Sequence, residues 1–139
     1  MKYKQYGETY VLRMDKGEDF VTVLKTLCRK EEIHLASING IGALSHVELG
    51  VFEPETKSYC PAVRDGFFEI VSCLGNVSVM DGEIYLHIHM CVSQKDGQVF
   101  AGHFSGGTIG LTGEIFVHKI QGTIGRRYSE ELGFNAWDL

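Results

Sequence analysis

The spacing of apolar positions changes several times along this 139-residue chain, and each change marks an element. Over residues 18–32, Phe20, Val23, Leu24, Leu27 and Cys28 recur at helical spacing and make one apolar stripe. Glu18 and Asp19 open that stretch, and Arg29 and Lys30 lie near its end, both of which suit the helix dipole. Elsewhere apolar and polar residues alternate with a period of two, which predicts strands. Residues 9–14 read as a strand before the helix. Residues 47–52, 67–74, 76–80, 84–92, 99–104, 115–120 and 121–128 read as strands after it. Asp81-Gly82 is a turn signal. A polar stretch from residue 53 to about 65 reads as a loop, and the apolar tail, residues 132–139, is expected to dock. One early helix followed by many short strands predicts a single α+β domain over residues 1–139, built on a mainly antiparallel sheet.

The strand over residues 84–92 carries the chemistry. Residues two apart on a strand share a face, so His87 and His89 lie on one side and Leu86, Ile88, Met90 and Val92 on the other. Lys95-Asp96-Gly97 fits a three-residue hairpin loop with Gly in the left-handed position. Pairing outward from Gln94 and Gln98 sets His89 opposite His103, Cys91 opposite Ala101 and His87 opposite Ser105. The same register gathers Ile88, Met90 and Val92 with Phe100 and Phe104 on the opposite face. Three imidazoles on one hairpin are the donor set of an open metal site. Neutral imidazoles suit a divalent metal, zinc above all, with nickel, iron(II) or cobalt as alternatives. The competing reading is a cluster of ordinary polar residues on an exposed hairpin face. Cys91 is a further, weaker ligand candidate. His34, His46 and His118 have no such partners in the pattern and read as structural or surface residues.

Composition narrows the function classes. Cys28, Cys60, Cys73 and Cys91 show no CxxC spacing, which fits free thiols in the cytoplasm. No stretch approaches the roughly 18 apolar residues of a membrane span, and the N-terminal residues lack the apolar run of a secretory signal. The formal net charge of −5 disfavours nucleic acid, whose binding depends on phosphate neutralisation by Lys and Arg. The only basic pair that stands out is Arg126-Arg127.

Gly17-Glu18-Asp19 ahead of a helix, the run Ile38-Asn39-Gly40-Ile41-Gly42-Ala43-Leu44, the pair Leu86-His87-Ile88-His89, and Gly102-His103-Phe104 together resemble the PPC (plants and prokaryotes conserved) domain. The resemblance covers about residues 10–116. It implies an antiparallel sheet with flanking minor helices, assembled as a homotrimer. It also implies a metal, often zinc, at His87, His89 and His103. In plant members the domain follows AT-hooks that contact DNA, and a Gly-Arg-Phe-Glu-Ile-Leu motif recruits partners. The corresponding run here is Gly66-Phe67-Phe68-Glu69-Ile70-Val71, with Phe67 in place of the Arg, and no AT-hook is present. That run reads first as a sheet strand, and its alternating residues could also build a subunit contact.

Further ligand-pocket candidates are Arg13, as a fork for a carboxylate or phosphate, and Asn39, as an orienting group. Glu114 is a candidate base or partner to a metal ligand. Gly40 and Gly42 would allow close backbone approach to a ligand, or else mark bulge or turn geometry. The leading expectation is a cytoplasmic metal-binding homotrimer that takes a small ligand at the ion. The alternatives are a metal-dependent hydrolase or lyase and a DNA-associated regulatory protein.

Overall fold

The computed structural model describes all 139 residues. In chain order the elements are β1 (Lys2–Tyr6), β2 (Thr9–Asp15), α1 (Phe20–Lys30), β3 (Ala36–Glu53), β4 (Ser58–Met80), β5 (Glu83–Ser93), β6 (Val99–Lys119), β7 (Gly125–Ser129) and β8 (Phe134–Asp138). All eight strands belong to one mixed sheet, whose sole parallel pairing is a single bridge between Val79 of β4 and Gly125 of β7. No helix is long and apolar enough to cross a membrane.

This corrects the α+β expectation. The fold is mostly β, with one helix of 11 residues and no minor helices. Asp19 fixes where α1 starts, because its backbone is extended and its carboxylate accepts from the Thr22 N–H at 2.8 Å. Glu32 fixes where α1 ends. It adopts φ +50°, and Ile33 N–H then reaches back to the Cys28 carbonyl at 2.8 Å, closing a Schellman turn over a buried Ile33.

Several short predicted strands prove to be parts of three long, bent ones. Residues 67–74 and 76–80 belong to the 23-residue β4, which runs straight through Gly75. Bulges at Gly40/Gly42 and Leu44/His46 let the 18-residue β3 bend without breaking. At Gly42 (φ +150°) a Cβ would lie 2.3 Å from the Thr112 carbonyl oxygen, so only glycine fits that bend. The expected loop over residues 53–65 is confined to a short turn, since β4 already begins at Ser58.

The long strands close on themselves. β3 pairs with β4, β4 with β5, β5 with β6 over residues 99–103, and β6 with β3 over residues 103–119. The ring and α1 enclose the core, where Phe20, Leu24 and Leu27 of α1 are fully buried in one cluster with Leu44, Phe68, Ile88 and Phe104. Phe20 meets Phe104 edge to face at 5.2 Å. Burial of each such side chain contributes about 1.5–3 kcal/mol, and this is what turns the apolar face of β5 inward and its histidine face outward.

Candidate metal centre

His103 sits where the two halves of β6 meet. It pairs with His89 of β5 on one side and with Gly50 of β3 on the other. The hairpin turn before it follows the loop chemistry, with Gly97 at φ +84° and Gln94 bonded to Gln98. Cys91 faces Ala101 as the loop length predicts. The expected His87–Ser105 pair does not form, because β5 and β6 diverge beyond His103, and His87 lies opposite Asn76 of β4 instead. This divergence opens a cleft rather than spoiling the cluster. Candidate ligand nitrogens of His87, His89 and His103 all lie within 4.8 Å of one another. Their ring centroids are 5.1 to 5.7 Å apart. In a tetrahedral site with metal–nitrogen bonds of ~2.0–2.1 Å, the nitrogens stand about 3.3 Å apart, so small side-chain rotations bring these three into range.

Electrostatics favour the metal-binding form of the ligands. Burial, aided by the positive charges of Arg126, His103 and His89, pushes the His87 imidazole down to about 4. Burial, with His89 and Arg126 behind it, lowers His103 as well. Both rings are therefore neutral near pH 7, as a divalent ion requires.

The cleft beside the histidines has a volume of about 500 Å³. Its walls are largely aromatic, with Phe52, Tyr59, Tyr85, Tyr128 and Phe134. Tyr59 donates to the His103 carbonyl at 2.7 Å and meets the His103 ring edge to face. That position requires Gly50, where a Cβ would come 2.5 Å from the Tyr59 ring. The β7–β8 hairpin supplies a further wall and is pinned by Arg126. The Arg126 guanidinium donates to Ser78 Oγ at 2.8 Å, the Asn135 carbonyl at 2.9 Å and Asn76 Oδ1 at 3.0 Å. It lies over the Tyr85 ring and 3.4 Å from His87 Nδ1. In the sequence this residue stood out only as half of a basic pair. The aromatic wall residues had no local signal at all, because they converge from separate strands and turns.

The other pocket candidates come together, but elsewhere. Arg13 and Glu114 are cross-strand neighbours on β2 and β6, and Arg13 is paired with Asp15 at 3.0 Å. Asn39 and Gly40 share a shallow depression with Glu114, and Gly42 shares another with it. None of these depressions includes a histidine of the cluster. Gly66 to Val71 lies inside β4, with Phe68 and Ile70 buried and Phe67, Glu69 and Val71 exposed. Among the remaining histidines, His46 has unexpected partners. Its Nδ1 is 2.7 Å from Asp65 and its Nε2 3.3 Å from Glu48. Hydrogen bonding to Asp65, then to Glu48, raises its pKa.

Fold and site thus define a closed β-domain with a three-histidine candidate metal centre at the seam of its sheet. Residues 1–121 match the Plants and Prokaryotes Conserved (PCC) domain, and the chain belongs to that family. Solved structures agree. A Bacteroides thetaiotaomicron protein described as a "putative dna binding protein" is 34% identical, with a TM-score of 0.95 over 99% of this chain and 96% of its own. A plant- and prokaryote-conserved protein from Pyrococcus horikoshii is 36% identical, with a TM-score of 0.89 over 99% and 95%. A metal-containing protein from Archaeoglobus fulgidus is 32% identical, with a TM-score of 0.91 over the full length of both. Among curated proteins no match was found.

Proposed function

We propose that this chain is a homotrimeric metalloprotein that holds one divalent ion, zinc by preference, at His87, His89 and His103, and binds a small ligand at the open position. The observation that carries the reading is the convergence of three imidazoles within 4.8 Å, two of them kept neutral by their surroundings. The metal-containing relative supports it. When bound, the ion would act as a Lewis acid toward an oxygen ligand. The chain's own residues would position that ligand: Tyr59 braces His103, Arg126 lies against His87, and the aromatic walls offer it an apolar surface. Four free thiols, Cys28 and Cys73 pushed up to about 12 by burial, support a reducing compartment, and the cytoplasm is the proposed location.

Assembly is supported by the outer face of the sheet. Ile41, Val71, Leu74 and Leu111 are each more than half exposed there, and Phe116 lies among them at 45%. A patch of this kind fits burial against a second copy. The description of one relative as DNA-binding brings that activity into view, but the net charge of −5 weighs against it.

Elemental analysis of protein supplied with zinc tests the site. About one metal per chain is expected, lost in His87→Ala, His89→Ala and His103→Ala. Metal-free protein after zinc supplementation would reject the reading. Sedimentation should give three times the 15.5 kDa chain mass, and Leu74→Lys should shift it toward monomer.

A further inference from the structure

The cleft has the shape and charge to select among ligands. Its walls contain no Asp or Glu, while Lys57 lines it and the Arg126 guanidinium lies directly behind His87. Three neutral imidazoles leave the charge of a divalent ion uncompensated. Resident metal sites that use carboxylate ligands balance part of that charge internally, and this one does not. Arg126 adds a further positive charge that its partners do not cancel, since Ser78, Asn76 and the Asn135 carbonyl are all uncharged. Lys57, which lines the cleft, donates to the Glu130 carbonyl, another neutral partner that leaves its charge uncancelled. The walls meanwhile offer flat apolar surface from Phe52, Tyr59, Tyr85, Tyr128 and Phe134. A volume of about 500 Å³ suits a small organic molecule rather than a bare inorganic ion.

Building on the metal reading, we propose that the ligand is an organic carboxylate with a flat apolar body. Its carboxylate oxygen takes the open position on the ion, its body packs against the aromatic walls, and Lys57 and Arg126 impose the preference for an anion. Arg126 is a positioning residue here, acting through its field and its hold on His87 and the β7–β8 hairpin. Lys57 acts from the wall of the cleft.

Benzoate and benzamide test this, because they share a shape and differ in charge. The cobalt(II)-loaded protein is titrated with each, following the visible absorption of the metal. Benzoate is expected to change the spectrum saturably, benzamide to leave it unchanged at the same concentrations, and acetate to bind more weakly than benzoate. Lys57→Gln and Arg126→Gln should each keep their cobalt and weaken benzoate about tenfold. The Lys57 variant leaves the Arg126 contacts intact and gives up only the bond to the Glu130 carbonyl in the β7–β8 turn, so a misfolded Arg126 variant would not obscure the result. Cobalt-loaded protein that binds benzamide as well as benzoate, binds neither, or binds benzoate as tightly in both charge variants as in the parent overturns the inference alone. Equal affinity for acetate and benzoate would overturn the apolar body. Failure to take up cobalt overturns the metal reading and this inference together.

Discussion

Replacing His87 by Asn should make the metal-free protein more resistant to acid than the parent. The cause is the place of the ring in the fold. In the unfolded chain His87 titrates near 6.5. In the fold, burial and the neighbouring cations bring it down to about 4. Between those values the unfolded chain binds a proton that the folded protein refuses, so stability is lost as pH falls through this window. Above pH 6.5 the effect vanishes, and below about 4 it is complete. Each tenfold difference in proton affinity between the two states is worth about 1.4 kcal/mol, so linkage gives a loss of ~2 kcal/mol between pH 7.5 and pH 5. Partial contact of the ring with water makes this an upper figure. The assay is urea denaturation with chelator present, at fixed chain concentration, at both pH values. Carboxylates titrate in parent and variant alike, so the difference between the two isolates His87. Parallel pH dependences, agreeing within about 0.5 kcal/mol, would refute the claim that burial and Arg126 hold this imidazole neutral.

Two other outcomes are expected. Ile88 lies between His87 and His89 and is 1% exposed on the core face, so Ile88→Ala should cost about 2–5 kcal/mol in denaturant stability; a cost below about 1 kcal/mol would mean the β5 face is not packed as described. His46 should titrate above 6.5 by NMR, and Asp65→Asn should bring it down, because the Asp65 hydrogen bond is the largest cause of its raised value.

The histidine hairpin was legible in the sequence because its information is local. A three-residue loop, a two-residue period and a strong apolar face together admit one register, and His89 stands opposite His103. The helix stripe was legible for the same reason, with Phe20, Val23, Leu24, Leu27 and Cys28 all buried. What failed was the joining of strands. Gly75 read as a break between two strands, whereas β4 runs on through it and passes close to His87 and Ile88 of β5; Gly40 and Gly42, read as bulge or close-approach positions, do bend β3. The minor helices rested on the family resemblance alone, and none forms. The cleft walls were hidden because they are assembled by ring closure. Arg126 and His87 are 39 positions apart and meet only after β7 bridges to β4. The grouping of Arg13 and Asn39 with the metal did not allow for how far positions spread around the outside of a closed sheet, since these residues line depressions separate from the histidine cleft.

A ring of strands ordinarily has no free edge, and every backbone group along it is engaged. The fork at His103 is the exception, the place where the β5 ladder ends on one edge of β6 while the β3 ladder begins on the other. Functional side chains placed there need no inserted loop, so the cleft is inherited from the topology itself. That arrangement has an evolutionary corollary. Wall residues can be exchanged freely to suit new ligands, whereas moving His103 by one position would require both ladders to be re-registered at once. Descendants of this architecture should therefore diverge in what they bind long before they diverge in where they bind it.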